Sequence, residues 1–143
     1  MLYNCYLKKG IVYLPTVVKQ GTAVYMNTEP VTAARVDDTE ELRRALRNTI
    51  PKTNPFVAPS VEDARNPPVL LKYTGDKTWS AFKRGTLHWS IYEKDGMYRI
   101  AGHRTHRKGY WERDPDQTIE LPAGTRIDDV VERMIGVLQD AAR

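Results

Sequence analysis

Apolar and polar side chains alternate along the first third of the chain, which is the period of β-strands that bury one face. The first two candidate strands flank a short Lys8-Lys9-Gly10 connection, where glycine can adopt a positive φ and close a hairpin. Pro15 has no amide donor and is therefore expected at a sheet edge or at a β-bulge. We predict an antiparallel meander made of the strands 2–7, 11–18, 22–27 and 30–36.

Two segments change to the 3.6-residue period of an amphipathic helix. Asp38 can accept hydrogen bonds from the first turn of one helix, and Glu41 completes a capping-box pattern with it. Thr125 and Asp128 form the same pattern at the start of the last helix. The apolar stripes that must bury against a sheet are Leu42, Ala45, Leu46 and Ile50 in the first helix, and Ile127, Val130, Val131, Met134, Ile135 and Leu138 in the last.

Between the two helices the chain returns mostly to strand patterns. Residues 69–74 are apolar in succession, which predicts a central strand with both faces buried. Thr78 can cap a short turn in which Trp79 and Phe82 share one face and pack into the core. Further strands are predicted at 86–94, 97–105, 109–113 and 118–121.

This order of elements predicts an α+β fold, with a mostly antiparallel sheet of about six to seven strands and two helices packed on one face. The length of 143 residues fits a single domain spanning residues 1–143. Residues 51–68 contain five prolines and predict a long Pro-rich surface loop. Such a loop is either a candidate binding loop or an irregular connector without a role.

The Asp95-Gly96 dipeptide between two alternating runs predicts a hairpin with a two-residue type I′ turn. Counting outward from Lys94 opposite Met97 makes His88 and His103 cross-strand neighbours. A polar face is predicted from His88, Ser90, Tyr92, Arg99, His103 and Thr105, and an apolar face from Leu87, Trp89, Ile91, Tyr98 and Ile100. If the polar face is solvated, alanine at either histidine should change stability by less than about 1 kcal/mol.

The histidine pair has a catalytic interpretation. A neutral and a protonated imidazole can act as base and acid in phosphodiester cleavage, with Arg99 or Arg104 neutralising the developing charge. The strings His88-Trp89-Ser90 and His103-Arg104-Thr105 resemble the paired His-x-Thr/Ser elements of the two-histidine phosphoesterases. That resemblance implies a cleft into which each histidine and hydroxyl projects from a strand. The alternative is a pair of surface histidines without a role.

The next segment has a nucleic-acid interpretation. His106, Arg107 and Lys108 precede Tyr110 and Trp111, and basic side chains beside aromatic rings can hold single-stranded RNA. Residues 69–113 hold ten Lys or Arg against four Asp or Glu, whereas residues 114–143 hold three against seven. The alternative is a solvated hairpin turn whose aromatic residues complete a core, since the whole chain has a net charge of only +4.

Several classes are disfavoured by what the sequence lacks. The single cysteine, Cys5, excludes an internal disulfide and an all-cysteine zinc site, and two imidazoles supply only half of a tetrahedral set. We therefore predict no metal and no cofactor. There is no glycine-rich phosphate loop, His-Glu-x-x-His or Gly-x-Ser-x-Gly motif, which favours a non-enzymatic role. No stretch approaches the roughly 20 apolar residues of a membrane helix, so we expect a cytoplasmic protein that does not enter the membrane.

Two functional hypotheses follow. The first is a small macromolecule-binding protein whose partner is another protein, of inhibitor, immunity or adaptor type; in size and make-up the chain is similar to bacterial immunity proteins that cap a toxin, although no motif carries that likeness. The alternative is an RNA-binding or phosphodiesterase-like protein that uses the His88 and His103 pair. The candidate catalytic residues are His88, His103 and Arg99, and the candidate binding residues are Tyr92, Arg99, Arg104, His106, Arg107 and Lys108.

Overall fold

The computed structural model describes residues 1–21, 24–50, 52–58 and 68–143. Their strands form one six-stranded antiparallel sheet with the order β3-β2-β1-β4-β5-β6. The predicted α+β class and mostly antiparallel sheet are therefore confirmed. The strands are β1 Leu2–Lys8, β2 Ile11–Lys19, β3 Tyr25–Arg35, β4 Thr86–Lys94, β5 Met97–Thr105 and β6 Trp111–Leu121.

Four helices accompany the sheet in the described residues: α1 Thr39–Thr49, α2 Val69–Thr74, α3 Trp79–Lys83 and α4 Ile127–Ala141. The two longer helices, α1 and α4, pack on one face of the sheet, as predicted. Their apolar stripes and the inward residues of the central strands form the main core, which includes Cys5, Val12, Leu42, Leu46, Trp89, Ile91, Ile100, Val130, Met134 and Leu138. None of the described helices is long and apolar enough to cross a membrane.

The two long helices begin in different ways. The Asp38 side chain accepts a hydrogen bond from the Glu41 amide at 3.1 Å, so the predicted N-cap of α1 is confirmed. The predicted cap of α4 is wrong, because Arg126 holds the N-cap position without a side-chain bond and Thr125 Oγ1 instead donates to the Pro122 carbonyl. Ile127 is 38% exposed and lies outside the buried stripe of α4.

The prediction of a strand at 69–74 is wrong, since this segment is helix α2. Short apolar runs fit a buried strand and a buried helical turn equally well, so periodicity cannot separate them. The flanking residues hold the helical signal. Pro68 precedes the first turn, and Gly75, at φ 78°, ends the helix in the left-handed conformation while its amide donates to the Leu71 carbonyl.

The sheet has fewer and longer strands than the sequence predicted. The expected strands at 22–27 and 30–36 are one continuous strand, β3, from Tyr25 onward, and residues 22 and 23 lie outside the described part of the chain. The expected strands at 109–113 and 118–121 are likewise joined in β6. Each of these two strands has an irregular register, and the extra residues shift the alternation of apolar positions. This shift explains why the sequence pattern indicated two short strands in each case.

Strands β1 and β2 pair only from Tyr6 opposite Tyr13 to Lys8 opposite Ile11 and then diverge. Pro15 lies at the register shift of β2, so the expected bulge at this proline is confirmed. The Asn54 side chain spans the gap, accepting from the Leu2 amide at 2.7 Å and donating to the carbonyls of Leu2 and Val17. The described part of the Pro-rich segment, 52–58, is thus tied to the sheet; residue 51 and residues 59–67 lie outside the described residues, and a binding role for this loop stays a prediction.

The second face of the sheet carries a smaller core under the short helices. Its buried residues are Tyr6, Val31, Leu70, Leu71 and Phe82. Phe82 stacks on Trp79 with ring centroids 4.8 Å apart, and Thr78 caps the helix by accepting from the Ala81 amide, as predicted. The buried Lys8 ammonium anchors this layer, because it donates to Asp76 Oδ2 at 3.0 Å and to two carbonyls at the end of α3.

A bulge of four residues interrupts β6. Thr118 pairs with Ala101 and Arg113 pairs with His103, so residues 114–117 all lie opposite Gly102. The buried Asp114 holds this bulge together by accepting from the Asp116 amide and the Gln117 side-chain amide. A bulge on an edge strand disturbs the row of backbone groups that another strand could pair with.

Replacing Gly102 with alanine is expected to lower the free energy of unfolding by about 1 to 3 kcal/mol. An added Cβ would lie 2.8 Å from the Cβ of Gln117, an atom close to the backbone that cannot move away freely. Gly136→Ala is the matched control, because the new Cβ on α4 meets nothing within 4 Å and alanine favours a helix by about 1 kcal/mol or less. Urea unfolding of both variants should give changes of opposite sign; equal values would contradict the clash.

Candidate functional site

The hairpin of β4 and β5 carries the candidate site, and its predicted register is confirmed. Asp95 and Gly96 have φ values of 52° and 78°, as a type I′ turn requires, and pairing runs from Lys94 opposite Met97 to Trp89 opposite Gly102. On the predicted apolar face, Trp89, Ile91 and Ile100 are buried under the long helices, whereas Leu87 is 44% exposed.

The structure brings the two histidines into direct contact. Their rings stack with centroids 4.1 Å apart and an interplanar angle of 14°. Tyr6 stacks on the other side of His88 at 4.5 Å, and Trp111 approaches the same ring at 5.0 Å. The expectation of a fully solvated pair is therefore wrong for His88, because Tyr6 and Trp111 belong to the aromatic layer that gathers around Phe82 of helix α3.

A row of hydrogen bonds connects this pair across four strands. Asn4 donates to Asn27 Oδ1 at 2.8 Å, and its own Oδ1 lies 3.3 Å from both His88 Nε2 and Ser90 Oγ. Ser90 Oγ lies 2.9 Å from His103 Nε2. Because Asn4 Oδ1 can only accept, His88 donates through Nε2, and Ser90 gives its proton to Asn4 and accepts from His103.

This bonding pattern has two consequences. His88 Nδ1 is buried and has no hydrogen-bond partner among the described residues, which is an uncommon arrangement for a buried polar atom. Ser90 faces an imidazole that donates to it, and such an imidazole does not remove the hydroxyl proton. The arrangement thus resembles a structural network more than an activated nucleophile.

The environment keeps both imidazoles neutral near neutral pH. Burial, followed by the nearby His103, holds the pKa of His88 well below its ordinary value of 6.5. Burial, followed by the positive charge of Arg113, lowers the pKa of His103. An acid and base pair needs one protonated imidazole, and at neutral pH the site holds both in the same neutral form.

The candidate arginines do not converge on the histidines. Arg99 pairs with Tyr92 near the turn, four residues or about 13 Å along the strand from His103, and its Nη2 lies 3.0 Å from Glu120. Arg104 follows His103 directly and so projects to the opposite face, where its Nε lies 3.0 Å from Glu112. Tyr92 is 38% exposed and lies opposite Arg99. The two residues are on the predicted polar face of the hairpin, but away from the histidine pair.

The predicted basic segment forms the turn between β5 and β6. The His106 amide donates to the Tyr110 carbonyl at 2.7 Å, and the Gly109 amide donates to the His106 carbonyl at 2.8 Å. His106 Nδ1 accepts from the Lys108 amide, and the His106 ring stacks on Tyr110 at 4.4 Å. His106 thus organises the turn, while Arg107 and Lys108 are exposed.

Sequence reasoning missed four residues that complete this region: Tyr6, Asn4, Asn27 and Trp111. They lie on three other strands, with Asn4 and Tyr6 on β1, Asn27 on β3 and Trp111 on β6, so no local spacing shows how they meet around the histidines. The available signal was the presence of Asn4 inside an otherwise apolar alternating strand, because a buried amide needs partners in neighbouring strands. No group of three or more His, Cys, Asp or Glu that could hold a metal ion occurs within the described residues.

A cleft of about 850 Å³ lies elsewhere in the molecule, between the turn of β1 and β2 and the end of α4. Its lining includes Leu7, Ile11, Arg35 and Gln139, and it contains none of the candidate site residues. The stacked histidines therefore do not line this cleft.

Comparison with protein-family models and with curated proteins finds no match. Solved structures with a similar fold over almost the whole chain include the following two. A "Protein of Unknown Function NMB0488 from Neisseria meningitidis" is 16% identical, with a TM-score of 0.66, and the alignment covers 99% of this chain and 94% of the other. A chain of the "CdiA-CT/CdiI toxin and immunity complex from Yersinia pseudotuberculosis" is 10% identical, with a TM-score of 0.64, and the alignment covers 98% and 95%.

Proposed function

We propose that this chain is a protein-binding protein of the immunity or inhibitor type, which blocks a partner protein by covering part of its surface. The observation that supports the proposal is the end-to-end similarity to a chain of a toxin and immunity complex. A shared fold alone does not imply a shared function, so the proposal also has to agree with the chemistry of the site.

The site agrees better with binding than with phosphodiester cleavage. The two imidazoles are neutral and stacked, and Ser90 accepts a hydrogen bond from His103. The two arginines that could neutralise charge are each paired with a glutamate, Arg99 with Glu120 and Arg104 with Glu112. In the proposal the histidine stack supports the sheet, and the function belongs to surfaces around it. The protein is proposed to act in the cytosol.

A binding experiment tests this proposal. The probe is the polypeptide encoded beside the gene of this chain in its own genome, which is the first candidate for the protein partner that the proposal requires. Calorimetry and co-elution on size exclusion are expected to show a one-to-one complex with a Kd of about 1 µM or tighter. The toxin domain from the Yersinia complex serves as the mismatched control. Absence of heat and of co-elution would contradict the proposal.

The same preparation tests the alternative directly. The purified chain is incubated with single-stranded RNA, and cleavage is followed with the wild-type protein and with His88→Ala and His103→Ala. No cleavage is expected from any of the three proteins. Cleavage by the wild type that both variants abolish would overturn the proposal and favour a phosphodiesterase.

A further inference from the structure

Five cationic residues lie in the turn of β5 and β6, on the adjoining part of β6, or at the end of helix α3. Lys83 donates to the Gly109 carbonyl, which joins the helix to the turn, and its ammonium lies 5.8 Å from the centre of the Trp111 ring. Arg113 follows Trp111 by two residues on the same face of β6. We call this group the basic end; it consists of Lys83, Arg84, Arg107, Lys108 and Arg113.

The basic end is not neutralised by the rest of the protein. None of its five cations has a carboxylate within 4 Å among the described residues, whereas Arg43, Arg47 and Arg99 elsewhere are each ion-paired. Glu112 and Asp114, which flank Arg113 in sequence, are both ion-paired with Arg104. Unpaired like charges repel one another, and an acidic surface brought against them relieves that repulsion.

The turn presents its cations on an ordered scaffold. Two backbone hydrogen bonds between 106 and 110, the His106 side chain and the stacking of His106 on Tyr110 fix its shape. The Lys83 bond to Gly109 adds a contact from outside the hairpin. A binding surface that is ordered before association loses less conformational entropy when its partner arrives.

The aromatic rings nearby favour a protein partner over single-stranded RNA. Base stacking needs an open ring face. Trp79 stacks on Phe82 and meets Trp111 edge-on at 5.8 Å, and Lys83 lies over the Trp111 ring. His106 stacks on one face of the Tyr110 ring, so this residue, which is 51% exposed, has at most one face for a base. Arginine and tyrosine are both enriched at the centre of protein interfaces.

We propose that the basic end is the surface by which this chain docks onto an acidic patch of its protein partner. The proposal rests on the proposed function and adds the location of the contact and the charge of the partner. It requires that binding weaken with salt, because exposed charges are screened, and that it depend on Arg107 and Lys108.

The first test uses the full isotope-labelled chain and two probes of equal length: an oligoglutamate peptide, and a single-stranded oligouridylate. With the peptide, amide shifts are expected at 106–110 and Arg84, with shifts of the Trp79 and Trp111 indoles. Arg107→Glu with Lys108→Glu should weaken peptide affinity at least about tenfold. The matched control, Arg44→Glu with Arg133→Glu, places the same charge change on exposed residues of α1 and α4 and should leave affinity within about twofold.

The outcomes separate this inference from the proposed function. The proposed docking surface would be overturned if both double variants lost the same amount of affinity for the peptide. It would also be overturned if the oligouridylate bound more than about tenfold tighter than the peptide. In the complex with the neighbouring gene product, Arg107→Glu with Lys108→Glu should raise the Kd at least about tenfold. A complex that forms but ignores these charges contradicts the docking surface and leaves the proposed function in place. Peptide binding without any complex contradicts the proposed function alone.

Discussion

The wild-type protein is expected to lose stability as the pH falls below about 6.5, and His88→Phe is expected to remove the part of that loss that His88 causes between pH 6.5 and about 5, whereas the part that His103 causes remains. The unfolded chain protonates its histidines near 6.5, whereas the folded chain holds the pKa values of His88 and His103 lower. Below 6.5 the unfolded state therefore binds more protons, and the free energy of unfolding decreases until the folded pKa values are reached.

The size of this effect is limited by proton linkage. Each histidine that is protonated only in the unfolded state lowers the free energy of unfolding by at most about 1.4 kcal/mol per pH unit. Above 6.5 both states are neutral and the histidines contribute no slope. The carboxylates of Asp76 and Asp114 have pKa values below their ordinary 3.8, so they act at lower pH and do not obscure the window.

His88→Phe separates the effect of ring stacking on stability from the effect of histidine protonation. It keeps an aromatic ring between Tyr6 and His103 and removes the buried, unpartnered Nδ1, at the cost of the 3.3 Å contact with Asn4. Urea unfolding is measured from about pH 7.5 to pH 5 for the wild type, His88→Phe and the control His106→Gln. The control should retain the wild-type slope. A wild-type curve that stays flat across this range would contradict the buried neutral pair.

Lys8→Ala is expected to lower the free energy of unfolding by about 2 to 4 kcal/mol. The Lys8 ammonium lies under α3 and donates to the carbonyls of Ala81 and Phe82 as well as to Asp76. Alanine would leave both carbonyls without this donor and would remove the buried aliphatic stem. Because α3 covers the second face of the sheet through Phe82, the loss should loosen the whole short-helix layer.

Lys94→Ala is the control, since Lys94 is exposed at the end of β4 and should change stability by less than about 0.5 kcal/mol. Tryptophan fluorescence is followed during urea unfolding, and two of the three tryptophans, Trp79 and Trp111, pack in the short-helix layer. Lys8→Met retains an aliphatic stem without the charge and is expected to recover part of the loss. An unchanged midpoint for Lys8→Ala would show that the buried ammonium does not hold α3 in place.

Local signals predicted the hairpin of β4 and β5 well. Asp95 and Gly96 determine the turn, and the alternation on each side determines which residues face the helices, so the meeting of His88 and His103 could be read from a continuous stretch. The cap at Asp38 was predictable for the same reason, because the whole interaction lies within four residues.

The surroundings of the pair were not predictable in this way. Tyr6 and Trp111 reach His88 from distant parts of the chain, and the covering layer includes α2, which the apolar run from Val69 had suggested was a strand. Exposure of a sheet face depends on what packs over it, and no periodicity within the strand shows this. The same limitation explains why Lys83 and Arg113 were not grouped with the turn that they flank.

These relationships assign different roles to neighbouring residues of one segment. His103 belongs to a buried network and His106 to the scaffold of a turn, whereas Arg107 and Lys108 are the exposed, unpaired cations of the docking proposal. Substitutions of His103 or His106 should lower the stability of the fold. Substitutions of Arg107 or Lys108 should weaken the binding of the protein partner.

If this chain protects a cell by binding a toxic protein partner, the growth of cells that make both proteins should show it. Bacterial cells are induced to make the neighbouring gene product alone, or together with this chain. We expect growth to stop in the first case and to be restored in the second, less fully by Arg107→Glu with Lys108→Glu than by Arg44→Glu with Arg133→Glu. Growth that remains arrested while the folded wild-type chain accumulates would rule out the proposed immunity function.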